Sequence, residues 1–150
     1  KILQKNPIDE NDLFVSPTDI SDLNIPNGNS IFLMNCKKLE IITGEKKWQN
    51  MTKELTQSFH SFLNLHATQM TSYLKNLDMC EELTSFTFFG NIEKNKDLHE
   101  YVKSRYLKSS VIIYKEDPKD SYLVVCKNQT CSNKIKSIKD LKSVVSNYAI

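Results

Sequence analysis

The chain has 150 residues, enough for one domain or for one domain with a small appendage. Its 20 Lys and Arg against 18 Asp and Glu leave a net charge of +2, too balanced to favour nucleic acid or an anionic membrane surface as the partner. The three glycines lie far apart along the chain, which excludes the clustered glycines of P-loop and Rossmann phosphate sites. No apolar run approaches ~18 residues, so we expect no membrane span.

Residues 1–29 predict irregular structure with short turns, because they hold three of the four prolines and many Asp and Asn. The chain begins with Lys rather than Met, and we therefore expect that it starts inside a longer gene product or that its start was processed. Four cysteines are too few for a disulfide-dense secreted scaffold. An intracellular location, cytoplasmic or mitochondrial, is favoured.

The first predicted helix spans residues 29–42, with Asn27 or Asn29 as its N-terminal cap and Gly44 just past its end. Its apolar residues surround much of the helix, so we expect it to be buried on more than one side. Such a helix needs neighbours that this chain does not supply.

The second predicted helix spans residues 46–65 and carries one apolar stripe at steps of three and four. The short connection to the first helix predicts an antiparallel αα-hairpin. A third, shorter helix is predicted over 68–77. The stripe of the second helix consists of Trp48, Met51, Leu55, Phe59 and Phe62.

From residue 83 onward the pattern changes to short runs of aromatic and β-branched residues that alternate with helical periodicity. The order is β-α-β-β-α, whereas the first half is helical. The sequence therefore predicts an α+β fold with a helical region over 1–82 and a small α/β unit over 83–150. The predicted elements of this unit are strands at 83–89, 111–114 and 122–126 and helices at 97–106 and 137–146.

Cys126 and Cys131 flank a polar turn directly after the last predicted strand. Three interpretations are open for them. They are free thiols that pack the strand–turn–helix junction, a disulfide or redox pair across the turn, or half of a zinc site that would need Cys80, His99 or Cys36 as further ligands. The spacing differs from the two-residue gap of a thioredoxin-like redox pair.

Asp22, Asn29 and Ser30 flank the start of the first predicted helix. A helix N-terminus offers free N–H groups, so these residues are the candidate lip of a polar pocket. Ordinary capping and turn chemistry is the other interpretation. No cofactor and no metal is predicted, and no catalytic residue can be assigned, since the three histidines lie apart from any nucleophile motif: His60, His66 and His99.

Several stretches together resemble a known family. Residues 22–30 (DLNIPNGNS) are similar to a D-G-A-x-P-S-G-N-S segment, and 42–44 (ITG) to a Leu-Thr-Gly turn. Residues 88–90 (FFG) are similar to a strand that ends in Gly, and 122–131 (YLVVCKNQTC) to a closing Y-V-C-x-N-x-T-C element. These features, in one order over about residues 20–145, resemble the thioredoxin-domain proteins that include the bacterial YyaL-type and the animal spermatogenesis-associated thioredoxin-like proteins.

The resemblance implies that this chain is similar to only the C-terminal part of that family. There, a thioredoxin-like domain is followed by a six-hairpin α/α toroid of the sugar-epimerase kind and a small C-terminal α/β element. The chain departs from the pattern at Leu23 and Asn24, where the family has Gly and Ala, and at Asn27, where it has Ser. Lys108 and Lys134 stand where prolines are expected. A Leu at a tight glycine position weakens any pocket carried over from the family.

The sequence favours a non-catalytic structural or interaction subunit, a split or remnant C-terminal piece of such a protein packed in a larger assembly. The alternative is a C-terminal fragment of a thioredoxin-domain protein whose toroid is a sugar- or thiol-active enzyme, with Asp22, Asn29 and Ser30 at the pocket and Cys126 and Cys131 at its edge. The expected partners are other protein chains or the missing upstream part of its own chain.

Overall fold

The computed structural model of the protein describes residues 20–22, 25–105, 109–128 and 130–147. Its five helices and four-stranded mixed sheet confirm the predicted α+β class. The chain divides into two compact units, Lys1–Cys80 and Glu81–Ile150, here called the helical unit and the sheet unit. The predicted irregular segment lies outside the described residues over 1–19 and at positions 23 and 24.

In its described residues, the helical unit consists of three helices joined by short connections. Helix α1 (Gly28–Thr43) and α2 (Lys46–His66) form the predicted hairpin, and a 3-10 turn (Ala67–Gln69) leads into α3 (Thr71–Glu81). No described helix is both long enough and apolar enough to cross a membrane.

The ends of α1 follow from two residues of its sequence. Of the two predicted caps, Asn27 is the one the structure uses, because its side chain accepts hydrogen bonds from the N–H groups of Asn29 and Ser30. Gly44 ends the helix in the left-handed region at φ 70°, and its N–H donates to the carbonyl oxygen of Glu40.

The core of the helical unit is made by one face of each helix. The predicted α2 stripe is buried at Leu55 and Phe59, and Phe59 stacks on Tyr73 of α3 with ring centroids 4.5 Å apart. Phe62, the last residue of the stripe, is not part of this core, and its side chain is exposed. The buried members of this core are Leu33, Cys36, Leu55, Phe59, Met70 and Tyr73.

The sheet unit places a β-α-β crossover next to an antiparallel hairpin. Its strands have the order β2-β1-β3-β4, with β1 parallel to β2 and antiparallel to β3. The element bounds are β1 (Thr84–Phe89), α4 (Lys96–Lys103), β2 (Ser110–Lys115), β3 (Tyr122–Lys127), β4 (Thr130–Cys131) and α5 (Ile138–Asn147).

Helices α4 and α5 share one apolar core with the sheet. Their buried residues Leu98, Val102 and Leu141 belong to the same cluster as the inward side chains of the central strands. Strand β1 is buried at its first five positions, as expected for a central strand. The strand members of the cluster are Phe86, Phe88, Leu123 and Val125.

Candidate functional site

The Asp22 carboxylate accepts hydrogen bonds from the two chain segments at which α1 and α3 begin. One oxygen accepts a hydrogen bond from the backbone N–H of Asn27 at 2.8 Å. The other accepts from the backbone N–H of Ser72 at 2.5 Å and from the hydroxyl of Thr71 at 3.0 Å. The backbone N–H of Asp22 in turn donates to the carbonyl oxygen of Gln69. Asp22 therefore caps the N-terminus of α3 from about fifty residues away in sequence.

The charge state of Asp22 agrees with this role. Partial burial acts to raise its pKa, but the hydrogen bonds from Ser72, Asn27 and Thr71 outweigh that effect and hold the pKa of Asp22 below its ordinary value. The carboxylate is therefore ionised at neutral pH. A negative charge at a helix N-terminus is also favoured by the helix dipole.

Asn29 and Ser30 lie in the same polar network as Asp22, because Asn27 bonds to all three residues. Asn76 of α3 completes it by donating from its side chain to the carbonyl oxygen of Ser30 at 2.8 Å. Asn27, Asn29, Ser30 and Asn76 are all buried. The structure thus brings the predicted trio together, inside the helical unit.

The backbone N–H groups that an anionic ligand would bind already have hydrogen-bond partners inside this network. The backbone N–H groups of Asn29 and Ser30 already donate to Asn27, and that of Ile31 donates to the Asn27 carbonyl oxygen. Among the described residues, only the Ser30 hydroxyl of this network is buried without a hydrogen-bond partner. The arrangement favours the capping interpretation over an anion or substrate pocket.

Sequence reasoning missed the residues that complete the network. Thr71, Ser72 and Asn76 lie 46 to 50 residues from their partners, so no local pattern connects them. The available signal was the order of the residues at the start of α3, where a Thr-Ser pair begins a helix without an acidic residue in its first turn. A helix start of this kind is open to a cap from elsewhere in the chain.

Cys126 and Cys131 form a disulfide across the β3–β4 hairpin. The two residues are directly opposite in the strand register, and Lys127 pairs with Thr130 next to the turn. Asn128 begins this turn at φ 49°, a left-handed conformation that Asn adopts more readily than most residues. Of the three interpretations, the structure therefore contains the cross-turn disulfide.

We expect mass spectrometry to find this disulfide in the purified chain. Alkylation under denaturing conditions should modify two of the four cysteines without reductant and all four with it. Replacing both Cys126 and Cys131 with Ser should lower the free energy of unfolding of the sheet unit by about 2 kcal/mol, because the bond closes a short loop in the unfolded chain.

Urea titration followed by amide NMR signals of β1 and β3 measures the effect of that change on the sheet unit. Reductant should destabilise the wild-type chain by the same amount and leave the double Ser variant unchanged. Four alkylated cysteines before reduction would contradict the disulfide.

The remaining cysteines are poor candidates for chemistry. Burial raises the pKa of Cys80 to about 11 and also raises the pKa of Cys36, so both thiols stay protonated at neutral pH. Within the ranges that the structure describes, no three His, Cys, Asp or Glu side chains are arranged to hold a metal ion. Because Cys126 and Cys131 are joined in a disulfide, neither supplies the thiolate that the zinc interpretation requires.

His99 has a partner that the sequence did not reveal. Its Nε2 lies 2.5 Å from the hydroxyl of Tyr114, and both rings pack on Phe88 near the carboxyl ends of the parallel strands. The side chain of His99 is mostly buried, whereas Tyr114 is exposed. The contact depends on the crossover through α4, which brings two positions fifteen residues apart together. We assign it a packing role.

No protein-family model, no curated protein and no solved structure matches the chain.

Proposed function

We propose that the chain is a non-catalytic structural or interaction module whose helical unit packs against helices of a larger protein assembly. The observation that carries the proposal is the distribution of exposed large apolar side chains among the described residues. Six of the eight lie in the helical unit. Exposed apolar surface concentrated in one region is typical of a protein–protein interface.

Five of these side chains belong to segments that meet at one end of the helical unit. Ile25 and Ile31 lie before and in the first turn of α1, Phe62 and Leu65 lie near the end of α2, and Leu74 lies in the first turn of α3. The antiparallel hairpin brings the start of α1 to the end of α2, and Asp22 links the starts of α1 and α3. We call these five residues the apolar end.

The exposure at the apolar end is large for apolar side chains. Leu65 is 81% exposed and Ile25 is 75% exposed. At about 25 cal/mol per Å² of apolar surface, covering such side chains contributes roughly 1.5–3 kcal/mol each. In helical arrays, neighbouring hairpins supply that cover. This agrees with the resemblance to the end of an α/α toroid, in which a hairpin packs against the next one.

The alternative function, a fragment of a sugar- or thiol-active enzyme, has less support. It would need Asp22 to face a substrate, whereas the Asp22 carboxylate accepts three hydrogen bonds from the starts of the helices. It would also need Cys126 and Cys131 at the edge of the pocket, and these two cysteines are joined in a disulfide, so neither is a free thiol nucleophile. Both observations favour a module that binds over one that catalyses.

Disruption of the apolar end should release the chain from its assembly. We expect the wild-type chain, tagged in the cells it comes from, to elute from a sizing column with a larger complex. Leu65→Glu should elute as the free chain, because it places a charge on the proposed contact. Its free energy of unfolding should change by no more than about 0.5 kcal/mol, since Leu65 is exposed.

Asn64→Glu is the matched control for this experiment, since Asn64 is the exposed polar neighbour of Leu65 on α2. It should leave the complex intact. The proposal fails if the wild-type chain elutes alone, or if Leu65→Glu and Asn64→Glu elute together with the complex.

A further inference from the structure

Residues 128–130 read Asn-Gln-Thr, the pattern of an acceptor for an N-linked glycan. Such an acceptor needs an Asn, whose side-chain amide receives the sugar, and a Thr or Ser two positions later, with any residue except Pro between them. The same pattern occurs at residues 50–52, which read Asn-Met-Thr. A pattern of three residues is a weak signal by itself, so the surroundings of each copy in the fold decide between them.

The structure places Asn128 and Thr130 at the tip of the β3–β4 hairpin. Asn128 directly follows β3, and Thr130 begins β4 opposite Lys127. Both Asn128 and Thr130 are exposed. Asn128 has a φ of 49°, as expected for a residue in a tight turn. A glycan is bulky and hydrated and must lie on the surface, and the tip of this hairpin meets that requirement.

The disulfide of the same hairpin indicates the compartment in which the chain folds. Cys126 and Cys131 lie on either side of the acceptor pattern and are bonded to each other. Disulfides form and persist in oxidising compartments such as the secretory pathway, and they are rare in the cytoplasm. N-linked glycans belong to proteins of that same pathway. The two observations are independent, because one concerns two sulfur atoms and the other an amide and a hydroxyl.

The two free cysteines agree with an oxidising compartment. Cys36 is fully buried, and Cys80 packs against the same core. Burial raises the pKa of both thiols, so little thiolate is present to attack another disulfide. Thiols held in this way persist where exposed ones would be oxidised.

We propose that the chain passes through the secretory pathway and carries an N-linked glycan on Asn128. The donor is an oligosaccharide linked to a lipid through pyrophosphate. Nδ2 of Asn128 forms a bond to the anomeric carbon of the first sugar and gives up one proton. The bond from that carbon to the pyrophosphate oxygen breaks, and the lipid pyrophosphate leaves with the electron pair. This location differs from the cytoplasmic or mitochondrial one that the sequence favoured, and the glycan goes beyond the function proposed for the helical unit.

The acceptor pattern at residues 50–52 lies in a different setting. Asn50 is exposed but lies inside α2. The hydroxyl of Thr52 donates to the carbonyl oxygen of Trp48 at 2.9 Å, and Met51 packs against the core of the helical unit. The hydroxyl that a glycosyl transferase recognises is therefore bonded within the helix. We expect the glycan on Asn128 alone.

Mass spectrometry of the tagged chain, purified from the cells it comes from, tests the proposal. Peptide N-glycosidase removes an N-linked glycan and converts its Asn to Asp. It should lower the mass of the chain by one glycan and leave an Asp at position 128. Thr130→Val should lack the glycan, because Val retains the β-branched shape of Thr without its hydroxyl. Thr130→Ser retains the hydroxyl and should keep the glycan.

Two variants at the acceptor positions are the controls. Asn50→Gln should leave the glycan in place. Asn128→Gly should remove it without disturbing the hairpin, because Gly adopts the left-handed φ of this turn. A wild-type chain without a glycan overturns the proposal. So does a glycan that remains in Asn128→Gly or in Thr130→Val, or one that is carried by Asn50 instead.

Discussion

Replacing Gly90 with Ala should lower the free energy of unfolding of the sheet unit by at least about 3 kcal/mol. Gly90 follows β1 at φ 79°, in the left-handed region that side chains disfavour. A Cβ atom at this position would overlap the backbone carbonyl oxygen of Asp120 and lie 2.7 Å from the hydroxyl of Ser121. Because Gly90 also donates to the carbonyl oxygen of Lys115, the chain cannot move away without losing a hydrogen bond.

The opposing loop has little freedom to yield to that Cβ. The Asp117 carboxylate accepts hydrogen bonds from the backbone N–H groups of Lys119 and Asp120, which fixes the turn. The Asp120 carboxylate in turn accepts from the ammonium of Lys136 at 2.8 Å. A loss of about 3 kcal/mol is a large part of the free energy of unfolding of a unit this small.

Two other glycines serve as controls for the Gly90 variant. Gly44→Ala should cost the helical unit about 1 kcal/mol, because Gly44 has a φ of 70° but open space around a Cβ. Gly28→Ala should change stability by no more than about 0.5 kcal/mol, since Gly28 has open space and no left-handed φ. The explanation is wrong if Gly90→Ala costs no more than Gly44→Ala.

Each unit has its own reporter for these measurements. Trp48 is the single Trp of the chain and lies in the helical unit, so its emission during urea titration follows the Gly28 and Gly44 variants. Amide NMR signals from β1 and β3 follow the Gly90 variant. Comparing unfolding within one unit avoids any assumption about the other.

The fold was predictable where local pattern and tertiary packing agree. The apolar stripe of α2 and the helix-ending Gly44 predicted the bounds of the two hairpin helices to within about two residues. The aromatic run before Gly90 predicted strand β1. The α3 boundary was less accurate, since the helix runs to Glu81 rather than 77. Its final turn carries Asp78 and Glu81 on exposed positions, and the signal for the longer helix was Cys80, which packs against the core three residues after Leu77. Strand β4, with two exposed residues, has no signal of its own apart from the turn at Asn128.

The candidate site was predictable only in part. The grouping of Asp22, Asn29 and Ser30 followed from their closeness in sequence, and the structure does place them in one network. Their role depends on Thr71 and Ser72, which are distant in sequence, so the sequence alone left the capping and the pocket interpretations both open. The disulfide was one of three alternatives because strand register, which places Cys126 opposite Cys131, is itself a tertiary property.

Replacing Asp22 with Ala should lower the free energy of unfolding of the helical unit by about 3 kcal/mol. The substitution removes three hydrogen bonds to a charged acceptor and leaves two backbone N–H groups, of Asn27 and Ser72, without that partner. It also removes the negative charge at the N-terminus of α3. Asp22→Asn retains an accepting oxygen but loses the charge, so its cost should be intermediate. Trp48 emission during urea titration measures both variants.

The pH dependence of the Asp22 contribution has a definite sign. Since the pKa of Asp22 is lower in the folded chain than its ordinary value of 3.8, protonation occurs first in the unfolded chain. The contribution is complete above the ordinary pKa and is lost as the pH falls through the lowered folded value. The stability difference between wild type and Asp22→Ala should therefore shrink on acidification, whereas the difference between Asp22→Asn and Asp22→Ala should stay constant.

Asp78→Ala is the control for the Asp22 variants, because Asp78 is an exposed carboxylate of the same unit. It should cost no more than about 0.5 kcal/mol. If Asp22→Ala cost as little, its hydrogen bonds to Ser72 and Asn27 would not matter to the fold, and the carboxylate would be available to a substrate. That result would favour the enzyme alternative. A large, pH-dependent cost would instead support the conclusion that the Asp22 carboxylate holds the starts of α1 and α3 together. A module that binds its partner through these helices needs their starts to be held in place.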